Sequence, residues 1–294
     1  MKKILVPCDF SPCCENALRF AIELAGKCRA EVIILTILRL PEKLSDTKDL
    51  YLYRKQAKSG FEKIKKIYQL PIRIRHEITV GKILPEILGC ITRKNINLVV
   101  MGTKGSRGWE QVFMGSNTEK VVRASPVPVL SIKGLTAVGL IKNIVIPCDL
   151  RHHQYEFIEK VKFLQKTFQA RLHLLRINTD VRIKTSTLES RLQEYVVHYG
   201  LGDTTCNVRF EDDEREGIVH FVKEMNADMI AMSTHGNLDA GHLFATSIAA
   251  DVVNHANIPV WTCAVNKKLA EPAPPIAGKR ASTNKLLSSK LTIP

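Results

Sequence analysis

Short apolar runs alternate with amphipathic stretches along most of the chain. Ile4–Val6 is apolar and brief, and Ser11 then stands where a helix N-cap belongs, ahead of a stretch that runs through Ala25. In that stretch Ala17, Leu18, Ala21, Ile22 and Ala25 recur at helical spacing, which predicts one buried face. Val32–Leu38 is rich in β-branched residues and long enough for a strand buried on both faces. Lys48–Tyr68 has the pattern of a polar amphipathic helix, and Ile72–Thr79 alternates as a strand should. Pro85–Arg93 predicts a helix, Asn97–Met101 a strand, Ser116–Ala124 a helix, and Val127–Ile132 a last strand. Strands that alternate with helices predict a mostly parallel, doubly wound α/β sheet with right-handed crossovers.

The pattern occurs twice. Ile4-Leu5-Val6-Pro7-Cys8-Asp9 returns as Ile144-Val145-Ile146-Pro147-Cys148-Asp149, displaced by 140 positions. Leu98–Gly105 returns as Met229–Gly236, and Ser125–Leu130 as Ala256–Trp261, both displaced by 131. Three matched blocks in one order mean two copies of one domain, the second shorter in its middle. The expected organisation is a first domain at 1–134, a degenerate second at 140–265, and a tail at 266–294 whose prolines and basic residues predict disorder.

In doubly wound sheets ligands bind beyond the carboxyl ends of strands, where strand order reverses. After the strand that ends at Met101 come Gly102-Thr103-Lys104-Gly105, nine residues, and then Gly115-Ser116 opening a helix. Glycines permit close backbone approach to an anion, and a helix start offers unpaired N–H groups and a favourable dipole end. The loop lacks the Lys-Ser/Thr ending of a P-loop. On spacing alone these glycines serve a phosphate cradle or a pair of turns equally well.

The pattern Gly-x2-Gly-x9-Gly-Ser, at Gly102, Gly105, Gly115 and Ser116, resembles the signature of ATP-binding universal stress proteins. Pro7-x-Asp9-x-Ser11, Val80-Gly81 and Pro126-Val127-Pro128-Val129 extend the resemblance, which covers residues 1–134 and, more weakly, 140–265. It implies two tandem five-stranded domains of the adenine nucleotide alpha hydrolase-like kind. By that resemblance Asp9 accepts from the adenine or ribose edge, Pro7 packs near the base, and the Ile37 backbone reads the adenine. Gly102, Gly105, Gly115 and Ser116 hold ribose and phosphates, the Asn117 N–H adds a donor, and Lys104 and Arg107 offset phosphate charge. The cofactor implied is ATP, or AMP or ADP, alone or accompanied by Mg²⁺ or Mn²⁺. Val129–Ile132 and Val260–Cys263 are expected to pair within the chain as an internal pseudo-dimer, with a further homodimer left open. In the second copy Ser233 and Thr246 replace the first and third glycines, while Gly236 and Ser247 remain. Cβ atoms there would crowd a phosphate, so that half is expected to hold no nucleotide tightly.

Charge and cysteines refine this picture. Residues 1–134 carry net +12, 135–265 carry −3 and 266–294 carry +5. A basic first half favours an anionic ligand or partner. Eight cysteines form no CxxC pair and no zinc-spaced ligand set, which predicts free buried thiols in a reducing compartment. His152, His153, His235 and His242 follow no metal-ligand pattern. No apolar run approaches a membrane span, and Pro7 and Asp9 cut short any signal-like start, so the expected location is the cytoplasm. No nucleophile constellation or paired acid and base accompanies the glycine loop. A regulatory, nucleotide-binding stress protein acting on an unidentified protein partner is therefore preferred. A weak ATPase, with Glu110 and Asp9 as candidate carboxylates, and a nucleic-acid or polyanion binder are the alternatives.

Overall fold

The computed structural model describes residues 1–38, 47–68, 72–103, 116–150, 154–235 and 243–265. The first half contains β1 (Lys3–Pro7), α1 (Pro12–Cys28), β2 (Glu31–Leu38), α2 (Thr47–Ile67), β3 (Ile74–Val80), α3 (Ile83–Lys94), β4 (Leu98–Thr103), α4 (Ser116–Ala124) and β5 (Val129–Lys133). A short 3-10 turn at Val138–Leu140 leads into the second half. There follow β6 (Asn143–Pro147), α5 (Tyr155–Phe168), β7 (Arg171–Asn178), α6 (Thr185–Tyr199), β8 (Thr204–Phe210), α7 (Glu214–Glu224), β9 (Met229–His235), α8 (Leu243–His255) and β10 (Val260–Val265).

The strands form one sheet in the order β3-β2-β1-β4-β5-β10-β9-β6-β7-β8. Within each half every pairing is parallel, as the intervening helices require. The halves join where β5 and β10 run antiparallel, with Leu130 opposite Trp261. The expected internal pairing of the two last strands is thus the seam of the molecule. Ser131 Oγ donates to the Val260 carbonyl and Thr262 Oγ1 to the Val129 carbonyl, so buried hydroxyls stitch the same seam.

Strand residues alternate between two layers, as the pleat demands. Ile4 and Val6 join a cluster that includes α1, α5 and α6 and runs unbroken across both halves. Leu5 points the other way, into a separate cluster with α3 and α4; α7 and α8 build its counterpart in the second half. In α1 the predicted face is buried, with Cys14, Phe20 and Leu24 added to it.

The end of β4 differs from the sequence expectation. β4 continues to Thr103, because Gly102 pairs with Ile132 and Thr103 with Lys133. Gly102 is therefore the penultimate strand residue and not part of a loop. The cysteine expectation also needs correction. Cys8 and Cys14 are bonded to each other across Cα atoms 5.6 Å apart, because the first turn of α1 folds back over the end of β1. Cys13, Cys28, Cys90, Cys148, Cys206 and Cys263 are free.

Candidate functional site

The order β3-β2-β1-β4-β5 reverses direction between β1 and β4, and a cleft opens beyond their carboxyl ends. Its volume is about 540 Å³, within the range of roughly 300–1,000 Å³ usual for small-molecule sites. Pro7, Asp9, Ile37, Gly102 and Asn117 all line it. Residues more than a hundred positions apart thus meet in one place. Ser116 begins α4 at the same rim. Lys104, Gly105, Arg107 and Gly115, like Glu110, lie outside the described residues.

β1 delivers Pro7 in register with Leu35, and the Cys8 N–H donates to the Leu35 carbonyl at 2.9 Å. The chain then turns through Phe10, whose φ of 61° lies in the left-handed region. That strained turn is held in place by contacts on each side. Ser11 N–H donates to Asp9 Oδ1 at 3.0 Å, and Phe10 N–H approaches Cys8 Sγ at 3.4 Å. The Phe10 ring meets His76 edge-on, and Phe61 covers the same imidazole. Thr36 Oγ1 donates to the Cys8 carbonyl at 2.9 Å and lies 3.0 Å from His76 Nε2. Burial lowers the His76 pKa, which favours the neutral ring behind the site. Asp9 itself is exposed at the cleft, one oxygen engaged by the turn. Ser11 occupies the N-cap position of α1 yet makes no side-chain capping bond.

Gly102 has a reason of its own. A Cβ there would collide with the Cys13 carbonyl oxygen, and would lie 2.6 Å from the Cys13 carbonyl carbon. The first turn of α1 crosses β4 backbone to backbone, and only glycine allows it. In the second copy the repeat frame puts Ser233 in this place, and α5 begins at Tyr155, three residues later in that frame than α1 does. His153, the counterpart of Cys13 in that frame, lies outside the described residues. Asp149, the counterpart of Asp9, is bound by Gln154 Nε2 at 3.2 Å, and Tyr195 donates to the same amide. The left-handed turn persists at Leu150, φ 60°. Cys148, the counterpart of Cys8, remains a buried thiol pushed up to about 11 by desolvation.

The cleft also contains residues that the sequence reading did not single out. Leu35, Ile83 and Met101 give it an apolar wall, and Pro12, Cys13, Cys14, Thr103 and Thr118 also line it. Period-two spacing links Leu35 to Ile37 and could have revealed it; Ile83 carries no such signal, since it arrives at the head of α3 from a different crossover. No group of His, Cys, Asp or Glu that could hold a metal occurs among the described residues. No helix among them is long and apolar enough to cross a membrane.

The sequence profile of the universal stress protein family matches residues 1–133 and again 140–263. The universal stress protein MJ0531 of Methanocaldococcus jannaschii is 30% identical over 139 residues, spanning 45% of this chain and 82% of the relative. MJ0577 from the same organism is 29% identical over 153 residues, spanning 45% of this chain and 94% of the relative. A universal stress protein from Archaeoglobus fulgidus superposes with a TM-score of 0.75 at 22% identity, over 89% of this chain and 98% of that structure, which establishes a shared two-domain fold. With both halves matched and the strand order in place, the chain belongs to the universal stress protein family as a tandem member.

Proposed function

We propose that the first half binds an adenine nucleotide, with ATP as the leading candidate, and that the protein is a regulatory binding module. The observation that carries this reading is the convergence of Pro7, Asp9, Ile37, Gly102 and Asn117 on one cleft at the strand-order reversal. Leu35, Ile37, Ile83 and Met101 suit a flat, apolar base, and the Asp9 carboxylate suits the polar edge of a base or ribose. The start of α4, with Asn117 in its first turn, faces the same space with the N–H groups and dipole end that phosphates favour. Lys104 and Arg107 belong by sequence to the segment between β4 and α4 and would add cationic charge.

Asp9 is the one carboxylate among the described lining residues, and one of its oxygens is spent on the Ser11 turn. Binding without rapid turnover is the chemistry this set supports, because hydrolysis by general acid and base needs a second positioned group. The second half, where Asp149 is tied to Gln154 and Ser233 replaces glycine, is assigned a structural role.

Calorimetric titration of nucleotide-stripped full-length protein with Mg-ATP tests the reading. One equivalent should bind, and at a hundredfold excess over Kd the first half should gain about 2.7 kcal/mol of stability. Asp9→Ala should weaken binding by about tenfold or more, the loss of one charge-assisted hydrogen bond, and Gly115→Val should abolish it. No heat and no melting shift with the unmutated protein would overturn nucleotide binding. A second equivalent would overturn the structural assignment of the second half.

A further inference from the structure

A second cavity, of about 630 Å³, lies on the other side of the seam, where α5 faces the amino-terminal ends of β4 and β5. Its walls are Pro126, Pro128, Leu130, Phe163, Leu164 and Trp261. Phe163 is 40% exposed, although it sits on the inner flank of α5 beside this apolar hollow.

The internal repeat shows what such a groove accommodates. Its pseudo-symmetric counterpart lies along α1, and there it is covered by the link between the two halves. Val138 and Ile141 of that link are 1% and 0% exposed, and the Val138 N–H donates to the Glu23 carboxylate at 2.9 Å. Asp228 then accepts from the Lys142 and Asn143 N–H groups and fixes the far end. The displacement of 140 that aligns the left-handed caps Arg29 and Gln169 places Phe163 where Glu23 stands. The displacement of 131 that aligns Val129 with Val260 places Leu269 where Val138 stands.

β10 runs out beside this groove. Thr262 pairs with Val129, so the following residues of β10 travel towards Pro128 and Pro126, which form its wall. In the sequence β10 is followed by residues 266–294, which begin Asn-Lys-Lys-Leu-Ala-Glu-Pro-Ala-Pro-Pro-Ile. Their chemistry suits the groove. Leu269 and Ile276 are apolar, and Pro272, Pro274 and Pro275 bring no N–H donors that an apolar wall would leave unpaired. Lys267 and Lys268 precede Leu269, while Glu156 and Glu159 on the α5 rim already pair with Lys160 and Lys162, so the fit rests on the apolar residues.

We infer that the groove between α5 and the head of β5 is a docking surface for this chain's own segment 266–276, with Leu269 in the role that Val138 has on α1. The linker closes one side of the pseudo-dimer seam, and the continuation of β10 closes the other. An isolated domain pair without that segment would present an open apolar face to solvent or to partners.

The test uses the full chain with Phe163→p-benzoylphenylalanine, mixed in equal parts with an isotopically heavy copy and irradiated. Since Phe163 is partly exposed, the replacement leaves the fold intact, which a melting curve checks. The expected product is a cross-link within one chain to the tryptic peptide Leu269–Lys279. Its yield should fall by at least about tenfold when Leu269→Asp is added, because a carboxylate is disfavoured in an apolar groove by more than the corresponding 1.4 kcal/mol. The apolar dye anilinonaphthalene sulfonate should bind the Leu269→Asp protein and not the unmutated one. Cross-links between light and heavy chains would assign the groove to a second copy and overturn the inference. So would the absence of that peptide among the products, a yield indifferent to Leu269→Asp, or equal dye binding by both proteins.

Discussion

At Gly102 a single missing side chain carries two separate meanings. The glycine motif invites a reading in which the residue makes room for phosphate, yet the nearest obstacle to a Cβ is the backbone of Cys13 and Cys14 in the first turn of α1. Gly102→Ala should therefore destabilise the protein by about 1–3 kcal/mol, the range for overpacking a tight interior, even without nucleotide. Ser233→Gly in the second copy should change stability by no more than the roughly 0.5–1 kcal/mol of added chain entropy. Paired urea unfolding curves check both. A Gly102→Ala protein as stable as the parent would leave ligand approach as the reason for the glycine. The cysteines make a similar point. Cys8 and Cys148 occupy one repeat position, but one is bonded to Cys14 and the other is a buried thiol. The sequence does contain this difference, since Cys14 has Gln154 as its repeat counterpart.

Helix starts separate residues that stabilise from residues that face the cleft. Asp213 caps α7 by accepting from the Glu216 N–H at 2.9 Å, whereas Ser11 at the start of α1 makes no such bond and lines the candidate site. Asp213→Ala should cost about 0.5–2 kcal/mol, and Ser11→Ala a few tenths at most. Thermal unfolding distinguishes them, and a large loss at Ser11 would show that its hydroxyl stabilises the turn. The first of these, α1, was legible as a helix, because the apolar period is a local property of the chain. Strand ends were less so. β4 was expected to stop at Met101, and it runs on because β5 supplies Ile132 and Lys133 as partners. Only the neighbouring strand determines where a strand stops pairing.

At the scale of the whole molecule the seam is both a hydrogen-bonded ladder and a site of electrostatic cost. Lys133 ends β5, is buried, and donates its Nζ to the Asn254 carbonyl at 2.6 Å across the seam. Burial lowers its pKa from 10.5 to about 8. In that interval the unfolded chain binds the extra proton, so this lysine makes stability rise as pH increases from about 8 towards 10.5, and the gain is lost as pH falls back through 8. Lys133→Met should remove that slope. Comparing guanidinium unfolding of the two proteins at pH 7.5, 9 and 10 checks it, and parallel pH profiles would refute the assignment. The positive charge of the first half, +12 against −3 in the second, is equally a property of the whole molecule. It draws anions towards the half that bears the cleft.

The sequence by itself determined the duplication, the alternation of strands and helices, the faces they bury and the family to which both halves belong. These follow from periodicity and from matched blocks, which the chain carries locally. Tertiary structure decided what lies at the strand ends: that α1 crosses β4 closely enough to require Gly102, that Cys14 reaches Cys8, and that Ile83 and Met101 join Asp9 around one cleft. It also decided that the linker packs on α1 at one flank of the seam and that an apolar groove runs along α5 at the other. Such features depend on how separate elements approach one another in space, and no local pattern records a distance between residues a hundred positions apart.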